Sequence, residues 1–129
     1  MTVELTLLGW TLVLALVQIL LVTQLRAKEA GLAYNMSPRD TAGAPVGKVT
    51  ARLQRAQANL FETLPLFAAA ILIAHIAGRD SNLTLWGAAL YFFARLVYVP
   101  VYAAGICGLR TAVWAVSIVG LVMIFGAIL

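Results

Sequence analysis

Charge is scarce in this chain: 11% of its 129 residues are Asp, Glu, Lys or Arg, 63% are hydrophobic, and the mean hydropathy is +0.97. That balance excludes a soluble domain of this size and points to a membrane protein. Cysteine is nearly absent. With Cys107 as the single one, neither an intramolecular disulfide nor a CxxC pair can form, which excludes the four-helix membrane oxidoreductases that shuttle disulfides. There is one histidine, His75, and no cluster of Cys, His or paired carboxylates, so no metal site is expected. A glycine-rich phosphate loop and a Ser or Cys nucleophile with a plausible base are also missing. Nine basic residues outnumber five acidic ones, for a net charge of +4, yet they are not interleaved with aromatics, so nucleic acid is not an expected partner.

Apolar length is what the chain has in abundance. A hydrocarbon core of ~30 Å takes roughly 20 apolar residues per crossing helix. Four such stretches predict helices over 3–25, 51–77, 82–104 and 109–129, with one sizeable loop over 26–50. The expected fold is all-α: a single-domain, integral membrane four-helix bundle. The first stretch lacks a basic n-region and a convincing cleavage site, so it reads as a retained helix. Gly31, Pro38, Gly43, Pro45 and Gly47 break any long helix in the loop. Arg26, Lys28, Arg39, Lys48 and Arg52 gather between the first two helices, which makes loop 26–50 cytoplasmic by the positive-inside rule and puts both termini on the far side.

Polar side chains then stand out against this background. Arg52, Arg55, Asn59 and Glu62 recur at i, i+3, i+7 and i+10 and share one helical face of the second span. An ionisable side chain facing lipid costs about 2.5–3.5 kcal/mol on insertion scales, so this stripe is expected to face protein, water or a ligand. On the third span Tyr91, Arg95, Tyr98 and Tyr102 form a second stripe at i, i+4, i+7 and i+11. Arg95 reads as a site residue rather than a snorkelling one, because it lies about 18 Å along the helix from Leu83. Arg110 opens the last span. Antiparallel packing of the second and third helices would bring the two stripes and Arg110 together as a net cationic pocket, with tyrosine hydroxyls and an amide as neutral hydrogen-bonders. Such a pocket suits a small, multiply charged anion. Pro65 and Pro100 are expected to kink their helices locally. Gln18 reads as interhelical glue, His75 as structural, and Arg26 as either an interfacial anchor or a ligand clamp.

The segment RAQANLFETLPLF, followed by ARLVYVPVY and an arginine opening the last helix, resembles the membrane-associated proteins of eicosanoid and glutathione metabolism, the MAPEG family. Its members include microsomal glutathione transferases, leukotriene C4 synthase and microsomal prostaglandin E synthase. The likeness is close over residues 53–115, and the four-helix layout extends it to the whole chain. It implies a homotrimer in the bacterial inner membrane, with a glutathione site at each subunit boundary open to the cytoplasmic side and the bilayer. Glutathione would be a co-substrate, with no metal. By this resemblance Arg55, Asn59, Glu62, Arg95, Tyr98 and Tyr102 bind glutathione, and Arg110 holds its thiolate as the catalytic residue, although the turn before it differs in length by about a residue from the family pattern. A neighbouring subunit would add Gln57 and Arg26. Thr63 stands where the leukotriene synthase has a tyrosine and other members have threonine.

Glutathione carries two carboxylates and one ammonium, so paired arginines matched by one glutamate complement it, and a cation near its sulfur favours the nucleophilic thiolate. The implied activity is conjugation of glutathione to a lipophilic electrophile, or reduction of a lipid hydroperoxide, with lipids and lipophilic small molecules as partners. The competing reading is a non-catalytic protein of the same fold that binds lipid or another membrane protein, since buried polar networks also fix helix register. A four-helix multidrug exporter would need a membrane-embedded carboxylate in the first helix, and Glu4 is too near the terminus for that.

Overall fold

The computed structural model describes residues 1–129 apart from 32, 34, 35 and 39–43. Among the described residues it contains α1 (Val3–Ala30), α2 (Lys48–Ile76), α3 (Asn82–Ala104) and α4 (Cys107–Ile128). Each is long and apolar enough to cross a membrane. The protein is an integral membrane, all-α four-helix bundle.

The helix ends follow local chemistry. Thr2 accepts a bond from the Leu5 N–H at 3.2 Å and caps α1. The helix then continues past the expected end at residue 25, because Ala27, Lys28, Glu29 and Ala30 are good helix formers. Polarity there marks the edge of the hydrocarbon, not the end of the helix; Gly31, at φ 89°, ends it. The N-cap residue of α2, Gly47, has no side chain to offer. Glu29 supplies the cap from the neighbouring helix: its Oε2 accepts from the Gly47 N–H at 3.1 Å and from Thr50 Oγ1 at 2.8 Å. Ser81 and Thr84 form a reciprocal capping box at the start of α3. Gly105, left-handed at φ 77°, ends α3, and α4 begins two residues later at Cys107. Both α2 and α3 run on through their prolines, Pro65 and Pro100.

Successive helices alternate in direction. α3 and α4 make the most extensive pair, α1 packs on α2 and α3, and among the described residues α1 and α4 do not touch. The α3–α4 crossing is close because both partners are glycine at the contact: a Cβ on Gly120 would lie 2.6 Å from the Gly87 carbonyl oxygen. Leu60, Leu64, Phe67 and Ile71 carry the core face of α2 and meet Leu8 and Ala15 of α1, Tyr91 of α3 and Ile124 of α4. Phe67 stacks on Tyr91 with centroids 4.1 Å apart, and the Tyr91 hydroxyl shares a 2.8 Å hydrogen bond with Thr63. Apolar side chains such as Trp10, Leu16 and Leu20 on α1 and Val119 and Val122 on α4 point outward, as they must where the solvent is lipid.

Candidate functional site

A cleft of ≈ 230 Å³ opens where α2, α3 and the start of α4 meet, lined by Asn59, Tyr98, Tyr102, Arg110, Thr111 and Trp114. Tyr102 organises it. Its hydroxyl accepts a hydrogen bond from Arg55 Nε at 3.2 Å, and the guanidiniums of Arg55 and Arg110 lie 5.7 Å and 4.7 Å from its ring centroid. Tyr98 meets Tyr102 edge-on at 5.5 Å. Each guanidinium near the negative face of the ring gains about 0.5–1 kcal/mol in a partly exposed setting, which holds two like charges near one another without a bound anion. Arg110 sits in the first turn of α4, where the free N–H groups carry the positive end of the helix dipole. Two arginines and a helix N-terminus therefore leave the cleft electropositive, and an anion relieves both repulsions.

The residues anticipated for the site divide into two groups. Asn59, Tyr98, Tyr102 and Arg110 line the cleft, and Arg55 stands at its rim through its bond to Tyr102. Arg95 does not line it; its guanidinium is 1% exposed, packed 4.4 Å from the Tyr98 ring centroid and hidden behind that ring. Glu62 is exposed, one turn along α2 from Asn59, and close enough to Arg95 and Tyr98 to act on both electrostatically without lining the cleft. Gln57 lies about 160° around α2 from Asn59 at helical periodicity, so it is turned away from its own chain's cleft. Arg26 is engaged elsewhere, bonded to Glu29 at 3.1 Å and to the carbonyls of Ala44 and Pro45 at 3.1 Å and 3.4 Å. Arg52, on the same helical stripe as Arg55, donates to the Ala103 carbonyl at 3.2 Å and packs against Gly105, so it secures the end of α3 rather than the cleft. His75 meets Asp80 at 3.3 Å across the α2–α3 turn.

Thr111 and Trp114 line the cleft without having been anticipated from the sequence. Their signal was positional: they follow Arg110 by one and four residues, and i+4 returns to the same face of α4. Trp114, 38% exposed, brings an apolar wall to an otherwise polar site. On another flank of the α3–α4 pair an apolar groove of ≈ 410 Å³ runs between Leu90, Phe93 and Val97 on α3 and Val113 and Val116 on α4.

Fold and cleft together define a class: a multi-pass membrane helical bundle with a cationic, tyrosine-lined cleft at one end. The MAPEG family model matches residues 5–129, essentially the whole chain, and the protein belongs to that family. A search of curated proteins finds no match.

Proposed function

We propose that the protein is a membrane-bound, glutathione-dependent transferase or peroxidase acting on lipophilic electrophiles or lipid hydroperoxides. The observation that carries this reading is the cleft itself, in which Arg55 and Arg110 converge on Tyr102 beside Asn59. Its charge matches the glutathione carboxylates, and Arg110, between the ring and the helix N-terminus, is the cation available to the sulfur. In conjugation the thiol proton leaves to solvent, the thiolate sulfur forms a bond to an electrophilic carbon, and the leaving group or the opened ring oxygen takes up the displaced electron pair. In peroxide reduction two glutathiones give a disulfide while the hydroperoxide becomes alcohol and water. Trp114 and the surrounding apolar surface give a lipophilic partner a path from the bilayer.

The working unit in this proposal is a homotrimer. Glu62 is exposed about 21 Å along α2 from Lys48, near the middle of a helix that crosses the membrane. Facing hydrocarbon it would cost about 2.5–3.5 kcal/mol, a cost that a second subunit covering this stretch of α2 removes. A subunit interface would also bring the neighbour's Gln57 and Arg26 within consideration, since neither serves the cleft of its own chain.

The test is retention of detergent-solubilised protein on immobilised glutathione, paired with a panel of electrophiles and hydroperoxides assayed with and without glutathione. Retention together with glutathione-dependent turnover supports the reading, as does a trimer mass in native mass spectrometry. If Arg55→Ala and Glu62→Ala bind glutathione as the wild type does, the site is not the glutathione site, and the non-catalytic lipid- or partner-binding role takes its place.

A further inference from the structure

Arg95 presents a problem that the cleft does not solve. A guanidinium has five N–H donors and no acceptor, and leaving one buried without partners is strongly unfavourable. Yet Arg95 is 1% exposed, and its Nε and both Nη atoms have no hydrogen-bond partner among the described residues. Two other buried side-chain atoms share that condition, Gln18 Oε1 and Asn59 Oδ1. Both are acceptors, and the three residues come from three different helices.

The pairing of the helices puts these atoms at one level. Glu4 and Thr84, bonded at 3.1 Å, mark where α1 and α3 run side by side in the same direction. Counting at about 1.5 Å per residue, Gln18 stands about 21 Å and Arg95 about 16 Å beyond that bond, roughly one helical turn apart. Rotation agrees: at about 100° per residue Gln18 returns to within about 40° of Glu4, and Arg95 to within about 20° of Thr84, so both face the α1–α3 seam. On α2, Asn59 lies midway between Arg55, bonded to Tyr102, and Thr63, bonded to Tyr91. That places it level with the Arg95 to Tyr98 turn of α3. Donors without acceptors and acceptors without donors therefore share one level of the bundle with no direct bond between them among the described residues, the situation in which buried water serves as the bridge.

The geometry points to a buried hydrated layer in which one or more waters join the Arg95 guanidinium to Gln18 Oε1 and Asn59 Oδ1. Arg95 and Gln18 are then positioning residues. Because the layer is donor-rich on the Arg95 side, it holds the Asn59 carbonyl oxygen inward, which turns the Asn59 Nδ2 donor toward the cleft. The cleft thereby receives a donor, suited to an anion, where a flipped amide would present an acceptor. This effect on ligand binding rests on the glutathione reading above; the waters themselves do not.

Two measurements test it. A structure of the detergent-solubilised protein at a resolution that shows ordered waters is expected to place solvent within hydrogen-bonding distance of Arg95 and of Gln18 or Asn59. A dry layer, with Arg95 bonded directly to Glu62 or another side chain, overturns the proposal. In titration, Gln18→Leu is expected to weaken glutathione binding about two- to twelve-fold, the equivalent of one neutral hydrogen bond, whereas Gln18→Glu keeps an acceptor and retains affinity. A packing role for Gln18 alone would shift the thermal midpoint and leave affinity unchanged, which would overturn the coupling to Asn59. If the wild type binds no glutathione, the functional reading fails, and the hydrated layer stands or falls by the solvent density alone.

Discussion

Tyr102 holds the cleft together in two separable ways, and a pair of substitutions tells them apart. Tyr102→Phe deletes the hydroxyl that accepts from Arg55 Nε at 3.2 Å but keeps the ring under both guanidiniums. Arg55 is exposed, so the bond is competed by water and contributes about 1 kcal/mol net, which predicts roughly five-fold weaker glutathione binding. Tyr102→Leu also removes the ring. Two cation–π contacts of about 0.75 kcal/mol each bring the total to about 2.5 kcal/mol, roughly 70-fold in affinity. The loss is one of preorganisation: without the ring, two mobile arginines must be ordered at the moment of binding. Isothermal titration of the purified protein with glutathione reads both values. Equal losses in the two variants would refute this account, since they would mean that the hydroxyl touches the ligand and the ring orders nothing. Wild-type affinity in Tyr102→Leu would remove Tyr102 from the site altogether.

Three further outcomes follow from the same geometry. On the proposed glutathione reading, Arg110→Ala lowers turnover more than it lowers affinity, and the ultraviolet thiolate absorbance of bound glutathione titrates at higher pH, because losing a cation proposed to stand beside the sulfur disfavours the charged form; an unmoved titration would make Arg110 an interfacial anchor. Gly120→Ala sets a methyl against the Gly87 carbonyl at 2.6 Å, backbone that cannot yield without parting α3 and α4, so it destabilises the bundle by about 1–3 kcal/mol, seen as a lower thermal midpoint in detergent. For topology, Ser37→Cys in a Cys107→Ala background resists an impermeant thiol reagent in intact cells and reacts after lysis; labelling in intact cells would reverse the orientation.

Apolar length and helical periodicity are local properties, and they determined a good deal on their own. Four crossing helices, one loop, and a stripe carrying Arg55 and Asn59 opposite another carrying Tyr98 and Tyr102 could all be read from residue type and spacing, because each depends on neighbours within a few turns. Depth and rotation within the bundle are set by contacts between helices, and these only the tertiary structure decided. Arg95 and Tyr98 share a stripe, yet packing against α1 and α2 puts the tyrosine at the cleft and the arginine behind it. Arg52 and Arg55 are likewise three residues apart on one face, and the position of the α3 end makes the first a clasp on Ala103 and leaves the second for Tyr102. Glu29 falls within the stretch 26–50 expected as loop; only the approach of α1 to α2 makes it the cap of Gly47 and Thr50. Thr111 and Trp114, unremarkable in an apolar helix, entered the cleft because the contact between Gly87 and Gly120 fixes how α4 is turned against α3.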